Sequence, residues 1–520
     1  MELLIAHSGL DEGLRKAKPS GIAMIPTYVT AVPDGTEKGL FLAVDLGGTN
    51  FRVCSVQLHG NSTFTLTQSK VAIPQELMVA PTTSKQLFAF LAKQIESFLK
   101  THHNDHFELL RTKSLSRGGS ADEHTFKLGF TFSFPVDQVS INKGYLIRWT
   151  KGYDLKDAIG KDICALLQDE INALGLPVKV AALINDTVGT LLARAYTSPG
   201  KSGTLLGGIF GTGTNGAYVE KLSRVTKLSE YPETDYNRST GMMIINMEWG
   251  GFDNGLRVLP NTPYDEGLDK ESVNPGMQMF EKRVSGMFLG EILRRALLTL
   301  VSSPAAELFK REISSSERLG STSYIADDSP LHRLWGIDTS FLSIVQGDTS
   351  ADLRMTRQAL DKELGVSAST SQDAKAVKEL VTAIGKRSAR LGAAVIGAVV
   401  LATNSLSGTS SGRQVEKDIA THIKDLEMFA AASAPTQEPE ASIAPAGRAD
   451  ASTALDEDSI VDIGLDGSLV EFFPNFEDYM REALREIPGI GEEGEKRIRF
   501  GIAKDGSGVG AALSALTAVN

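Results

Sequence analysis

Apolar residues along this chain fall into short runs that keep breaking at glycine turns. GLFLAVDLGGTNFRVCSVQLHG, from Gly39 to Gly60, alternates at a period of two on both sides of Gly47-Gly48, which predicts two β-strands joined by a tight turn. TFKLGFTFSFPV, from Thr125, predicts another strand. VKVAALIND is near-continuously apolar, as a strand buried on both faces would be, and TVGTLLARAYT behind it has helical spacing. TLLGGIFGTGTNGAYVEK, from Thr204, is again strand, glycine turn and strand. SIVDIGLDGSLVEFF, from Ser459, is expected to repeat the form: apolar run, glycine turn, apolar run. The longest apolar stretch, LGAAVIGAVVLAT from Leu391 to Thr403, is shorter than the ~18 residues a membrane span needs and reads as a buried helix.

Two stretches break the pattern. Thr101 to His124 is rich in His, Gly, Ser and Asp and reads as a loop. Ser405 to Glu457 is rich in Ala, Ser, Pro, Thr and Glu; it reads as an insertion, its later part disordered and its VEKDIATHIKDLEMFAA segment a short helix.

The glycine turns carry the first chemical signal. DLGGTNFRV and FGTGTNGAYV align through a shared Gly-Thr-Asn, which suggests a duplicated α/β unit and two lobes facing a cleft. GTGTNG also fits the dinucleotide fingerprint G-x-G-x-x-G, but that turn must open into a helix. Here AYVEKL and NFRVCSV follow, both strand-like, and neither turn continues into Gly-Lys-Ser/Thr. What remains is a pair of β-turns whose glycines let backbone N–H groups approach phosphate oxygens. Asp45, before the first turn, supplies a hard oxygen ligand for Mg²⁺, through water.

Composition narrows the partners. The chain has 520 residues, enough for two or more domains, and is 42% hydrophobic and 22% charged, as in ordinary globular proteins. A formal net charge of −11 leaves no basic footprint for nucleic acid. The two cysteines, Cys54 and Cys164, sit in apolar segments and read as core residues of a reducing compartment. No metal-ligand spacing of the C-x-x-C, H-E-x-x-H or EF-hand type occurs. The first residues carry acidic groups where a leader would be cationic, so a cytoplasmic protein without a membrane partner is expected.

Neutral hydroxyls on a small molecule are best read by carboxylates and amides. Asn185, Asn215, Glu248 and Glu281 provide these in glycine-rich or strand-end surroundings. Asp186 ends an apolar strand and starts a helix, so it is expected to serve as N-cap and as the carboxylate that takes a hydroxyl proton, kept ionised by the helix N-terminus. Lys151 and Arg52 are the nearest cations, suited to charge that builds on a transferring phosphoryl group.

The segment LGFTFSFP followed at a gap by WTKG resembles the eukaryotic hexokinases. The likeness continues through INDTVGT, FGTGTNGAYVE, INMEWGGFDN, NPGMQMFEKRVSGMFLGE, DIGLDGSLVEFFP and GIAKDGSGVGAAL, from about Met24 to Leu516 without the insertion. MIPTYVT and AVDLGGTNFRVCSVQLHG look closest to the fungal glucokinase branch. The resemblance implies that Ser133, Phe134, Thr150, Lys151, Asn185, Asp186, Asn215, Glu248 and Glu281 line a glucose pocket. It ties Gly47, Gly48, Thr49, Asn50, Gly211, Thr212, Gly213 and, from a partial match, Lys70 to the nucleotide phosphates. Gly464, Asp466, Gly467 and Ser468, with the turn Asp505 to Gly510, fall on the adenosine side.

The expected architecture is a two-lobed α/β fold of the actin-like ATPase (hexokinase) type, with a duplicated core and an interlobe cleft. Its expected parts are an N-terminal arm (1–38), a small lobe (39–185), a large lobe (186–510, with 405–457 inserted) and a C-terminal helix (511–520). The implied activity is MgATP-dependent phosphorylation of the 6-hydroxyl of glucose or another hexose, the entry to glycolysis, by a monomer or weak homodimer. A catalytically silent sugar sensor of the same fold is the alternative, although it would be expected to lose Asp186 or the phosphate turns. A filament-forming relative would have no use for Glu248 and Glu281.

Overall fold

The computed structural model describes residues 2–16, 19, 21–116, 125–198, 203–230, 236–306, 308–309, 323–407, 459–503 and 505–518. Most of the expected insertion, including its short helix, and the end of the His-rich stretch lie outside the described residues. No helix among the described residues is long and apolar enough to cross a membrane.

Two sheets organise the molecule. The first is built from β2 (Lys38–Leu46), β3 (Asn50–His59), β4 (Phe64–Ala72), β5 (Phe126–Phe132) and β8 (Val178–Ile184), in the order β4-β3-β2-β5-β8. A hairpin of β6 (Val136–Ser140) and β7 (Lys143–Leu146) lies beside it. The second contains β1 (Ile25–Pro26), β9 (Thr204–Phe210), β10 (Thr214–Lys221), β11 (Met242–Asn246), β12 (Val461–Asp466) and β13 (Ile498–Ile502), in the order β1-β11-β10-β9-β12-β13. Apart from the short β1, both sheets run third-second-first-fourth-fifth strand. In each, the first three strands are antiparallel and the last two are added in parallel. The duplication suggested by Gly-Thr-Asn therefore extends over the whole unit.

Each unit ends in a helix that packs on the other unit's sheet. Helix α5 (Asp186–Thr197) leaves β8 and lies on β9, β10 and β12, while α10 (Gly506–Thr517) leaves β13 and lies on β2, β5 and β8. The two helices cross in contact, and their apolar faces form a separate core with Val29, Ala43, Cys54, Ala217 and Ile244. Larger cores fill each lobe: Leu42, Phe51 and Phe130 belong to the first, and Phe210, Trp249 and Ile463 to the second. The C-terminal helix begins at Gly506, five residues ahead of the expected 511, because its glycine-rich first turn is helical.

Two other expectations change. The stretch from Thr101 is helical through α2 (Ser84–His102) and α3 (Asn104–Ser116), not a loop. Phe98 and Phe126 hold its histidine rings, which gives that polar segment an apolar support. After the turn at Gly467 the second apolar run forms a short helix, α9 (Ser468–Phe472), where a strand was expected. The long helix α8 (Ser371–Ala402) buries the Leu391 segment as expected.

Candidate active site

The site begins where strands end. Asp45 and Arg52 face each other across β2 and β3, and Lys70 stands next in the same row on β4. Asp45 Oδ2 accepts from Arg52 Nη2 at 2.9 Å and from Ser507 Oγ at 3.1 Å. Arg52 Nη1 reaches Asp505 Oδ1 at 3.3 Å and Nη2 also meets Ser507 Oγ. Burial opposes the charge on Arg52, yet Asp45 and Asp505 raise its pKa. Arg52 is thus already paired: it ties the first turn to the start of α10, and was expected to face the phosphoryl group. Asp45 Oδ1 has no protein partner among the described residues.

The turn Gly47–Asn50 is closed by Gly47 N–H donating to Asn50 O at 3.1 Å, with Thr49 exposed. Its Gly48 lies against the Lys151 stem, where an added Cβ would sit 3.3 Å from Lys151 Cβ. Lys151 itself is exposed, adopts a left-handed φ of 56° and donates to Ser133 O at 2.8 Å. Half-buried Thr150 precedes it. Phe134 is buried at 6% exposure and packs on Trp149 and Tyr153 beneath Lys151. Its ring supports the lysine loop, where a place lining the pocket was expected.

The second turn sits against the third. Gly211 approaches Gly467, whose φ of 109° suits glycine alone. Gly211 O accepts from Gly286 N–H at 2.7 Å and Thr212 O from Met287 N–H at 3.1 Å, docking the turn on α7 (Gly286–Ser302). Thr339 Oγ1 donates to Gly286 O. Met287 and Thr339 were not singled out in the sequence, because neither residue type carries a signal alone. Thr212 is exposed beside this junction, and Gly213 lies against Glu281 Oε1. Asp466 caps Gly467 N–H at 2.7 Å; burial raises its pKa. Ser468 is exposed at the start of α9. Gly464 is not at the turn. It is buried mid-strand, where a Cβ would stand 2.6 Å from Arg194 Cβ, so its bareness serves helix packing.

Between the turns lies a polar cluster. Asn185 is the N-cap of α5: its Oδ1 accepts from Thr187 N–H at 2.9 Å and Thr187 Oγ1 at 2.6 Å. The cap assigned to Asp186 falls chiefly to its neighbour, because Asp186 is the first helical residue and only one of its oxygens touches Thr187 N–H, at 2.9 Å. Asn215 Nδ2 lies within 3.3 Å of Asn185 Oδ1 and Thr187 Oγ1, 2.9 Å of Asn246 Oδ1 and 3.2 Å of Glu248 Oε1. Glu281 Oε1 faces Thr214 N–H at 3.3 Å, and its Oε2 faces Gln278 Nε2 at 3.2 Å. Asn246 and Gln278 are site residues that composition did not flag, since each hides inside an apolar stretch.

Electrostatics sets Asp186 apart. Burial pushes its pKa up to about 6, helped by Asp45 and Glu248 and opposed by Lys151 and the Thr187 N–H. The helix N-terminus was expected to keep it ionised, and desolvation raises its pKa against that pull without reversing the charge at neutral pH. A base near 6 is still roughly nine-tenths ionised at pH 7. Burial likewise raises Glu248 and Glu281.

A duplicated α/β core with an amide–carboxylate cluster set between glycine turns defines a two-lobed fold of the actin-like ATPase class. Family models described as Hexokinase match residues 6–196 and 205–517. The chain belongs to the hexokinase family. It is 55% identical to the glucokinase of Aspergillus niger, over 98% of this chain and 91% of that protein. To glucokinase-1 of Saccharomyces cerevisiae it is 41% identical, over 98% and 90%. A hexokinase from Schistosoma mansoni, solved in complex with glucose, superposes with a TM-score of 0.69 at 30% identity, covering 99% of this chain and 94% of that one.

Proposed function

We propose that this hexose kinase transfers the γ-phosphoryl group of ATP to the 6-hydroxyl of glucose, giving glucose 6-phosphate and ADP. The observation that carries the reading is Asp186: a half-buried carboxylate with its pKa near 6, set between the amide–carboxylate cluster and the glycine turns. Asn185, Asn215, Glu248 and Glu281 hold the sugar hydroxyls, and Asp186 takes the proton of the 6-hydroxyl as its oxygen bonds to phosphorus. The bond from phosphorus to the β,γ-bridging oxygen breaks, ADP leaves, and Asp186 returns the proton to water. Phosphoryl transfer through a loose transition state asks mainly for positioning and charge stabilisation, so a base of this modest strength suffices.

The Gly47–Asn50 and Gly211–Gly213 turns with Thr212 receive the phosphates, and Asp466 to Ser468 with Asp505 to Gly510 border the adenosine. Lys151, whose charge already acts on Asp186 and Glu281, is the cation for the transferring group. Arg52 holds Asp45 in place. Mg²⁺ fits Asp45, which keeps one carboxylate oxygen open beside the turn, and no cage of three metal-ligating side chains stands among the described residues. When bound, the ion would neutralise charge on the phosphates. The relatives named glucokinase and the glucose complex of the Schistosoma enzyme support the choice of sugar.

The test is an assay coupling ADP release to a hexose panel with MgATP, run beside Asp186→Ala. Wild type is expected to turn over glucose, and the variant to lose at least about 10²-fold in kcat, the low end for general-base removal. A wild type that phosphorylates no hexose overturns the reading. A variant with near-normal kcat overturns the assignment of the base.

A further inference from the structure

Asn246 sits at the last position of β11, 6% exposed, and is paired in register with Ala217 on β10. Antiparallel partners share a face, and alternate residues along a strand share it too. Asn215, Ala217 and Asn246 therefore lie on one face, the face that α5 covers with Thr187 and Asn185, and Glu248, two residues past the strand end, joins the same cluster through Asn215 and Asn246. Asn246 Oδ1 accepts from Asn215 Nδ2 at 2.9 Å, and Asn246 Nδ2 donates to Glu248 Oε1 at 2.9 Å. One amide thus links two residues of the sugar cluster through both of its polar ends.

Glu248 needs such a link. Its backbone is left-handed, with φ 55° and ψ 48°, a conformation that costs a side-chain-bearing residue energy and that neighbours must enforce. Both of its hydrogen bonds, from Asn246 and Asn215, fall on Oε1, and among the described residues Oε2 has no protein partner. Asn215 has only two amide hydrogens for four acceptors within 3.3 Å. With one of those hydrogens on Asn246 Oδ1 at 2.9 Å, a single one is left for Glu248, Asn185, Thr187 or a sugar hydroxyl, whereas the buried Asn246 Nδ2 donates to Glu248.

We propose that Asn246 is a positioning residue for sugar recognition: it fixes the Glu248 carboxylate through Oε1 so that Oε2 faces the hexose, and it orients the Asn215 amide through its own Oδ1. This rests on the glucose-site reading above. The charge of Glu248 is held against burial and against Glu281 and Asp186, with Asn246, Asn215 and Arg148 favouring it; Lys151 faces the same cluster through Asp186 and Glu281. Removing the Asn246 amide therefore weakens sugar binding and makes it fail at higher pH.

The experiment measures glucose affinity by calorimetry without nucleotide, across pH 5 to 8, for wild type, Asn246→Ala and Asn246→Asp. Steady-state constants for glucose and MgATP and melting curves accompany it. Losing a hydrogen bond to a charged group corresponds to about 10- to 100-fold in affinity. Asn246→Ala is expected to raise the glucose Kd and KM by that factor, with kcat and the MgATP KM within about threefold. The pH below which binding weakens should move upward. Asn246→Asp, which keeps the shape but sets a second carboxylate against Glu248, should shift it further and supplies the measurement if the alanine variant does not fold. Unchanged glucose affinity and pH dependence in a folded variant overturn the proposal. So does a joint fall in kcat and both affinities with a lowered Tm, the pattern of a purely structural role. A wild type that binds no hexose overturns the site reading instead.

Discussion

At the scale of single residues, the site turns on how far burial can push a carboxylate before it stops being a base. Asp186 has a folded-state pKa of about 6 against 3.8 for the free side chain. Because the folded value is the higher one, ionising Asp186 costs stability as pH rises from about 4 to about 6, and the cost is constant above that. Asp186→Asn removes the charge at the same shape. It is expected to be more stable to unfolding than wild type at pH 7, by on the order of 1–3 kcal/mol, with the gain vanishing below about pH 4. Turnover of wild type should fall below pH 6 as the base fills with its proton. Urea unfolding of both proteins at pH 4 and pH 7 checks the first claim: an equal difference at both pH values would mean that burial does not set this pKa. The residue types at the site were readable in the sequence, since Asn-Asp after a strand, Glu within INMEWGG and Lys within WTKG each carry chemistry. Their partners were not. Arg52 looked like a free cation because a sequence cannot show that Asp505, 453 positions away, closes on it. That Phe134 also packs on Trp149 and Tyr153 beneath Lys151 could not be read from its residue type. Asn246, at the end of an apolar strand, gave no sign of the amide it extends toward Glu248.

At the scale of elements, strands were legible and the sheet–helix pairing was not. Period-two alternation and glycine turns set β2, β3, β9 and β10 within a residue or two. The run after Gly467 was short and apolar, a pattern that fits either period, and it closed into α9. What helical periodicity cannot say is which sheet covers the apolar face. For α5 the answer is partly electrostatic. Arg194, near its end, donates to buried Asp462 on β12 through Nε at 2.9 Å and Nη2 at 2.5 Å. Arg499 Nε and Thr204 Oγ1 complete the carboxylate's shell at 2.7 and 2.8 Å. Burial opposes the charge on Asp462, and these donors still hold its pKa below the ordinary value. The folded value being the lower one, this stability is present above about pH 4 and lost on further acidification. Asp462→Ala would remove the carboxylate that Arg194 and Arg499 share and is expected to cost about 3–5 kcal/mol at pH 7. Denaturant titration measures it, and a loss below about 1 kcal/mol would show that α5 is held by its apolar face alone.

At the scale of the whole molecule, the exchange of α5 and α10 between units makes their crossing the place where the lobes meet. At that crossing a Cβ on Gly510 would stand 2.1 Å from Gly189 Cα, backbone against helix, with no flexible side chain to give way. Excluding water from the cleft requires the lobes to approach on sugar, because a sugar hydroxyl and water are similar nucleophiles. If the approach pivots where the helices touch, a methyl group there must both weaken the fold and spoil the motion. Gly510→Ala is expected to cost about 1–3 kcal/mol, as overpacking does. Glucose is expected to lower the radius of gyration of wild type in solution scattering, and Gly510→Ala should reduce that fall, with kcat/KM lowered about tenfold or more. Gly464→Ala is the matched control. Its Cβ also meets a neighbour too closely, Arg194 Cβ at 2.6 Å, but where β12 packs under α5, and none of its three nearest atoms belongs to α10. It should destabilise to a similar degree and leave the glucose-induced compaction intact. If both variants compact like wild type, the crossing is a strut and the lobes turn elsewhere. If both lose compaction equally, the effect follows stability and not the pivot.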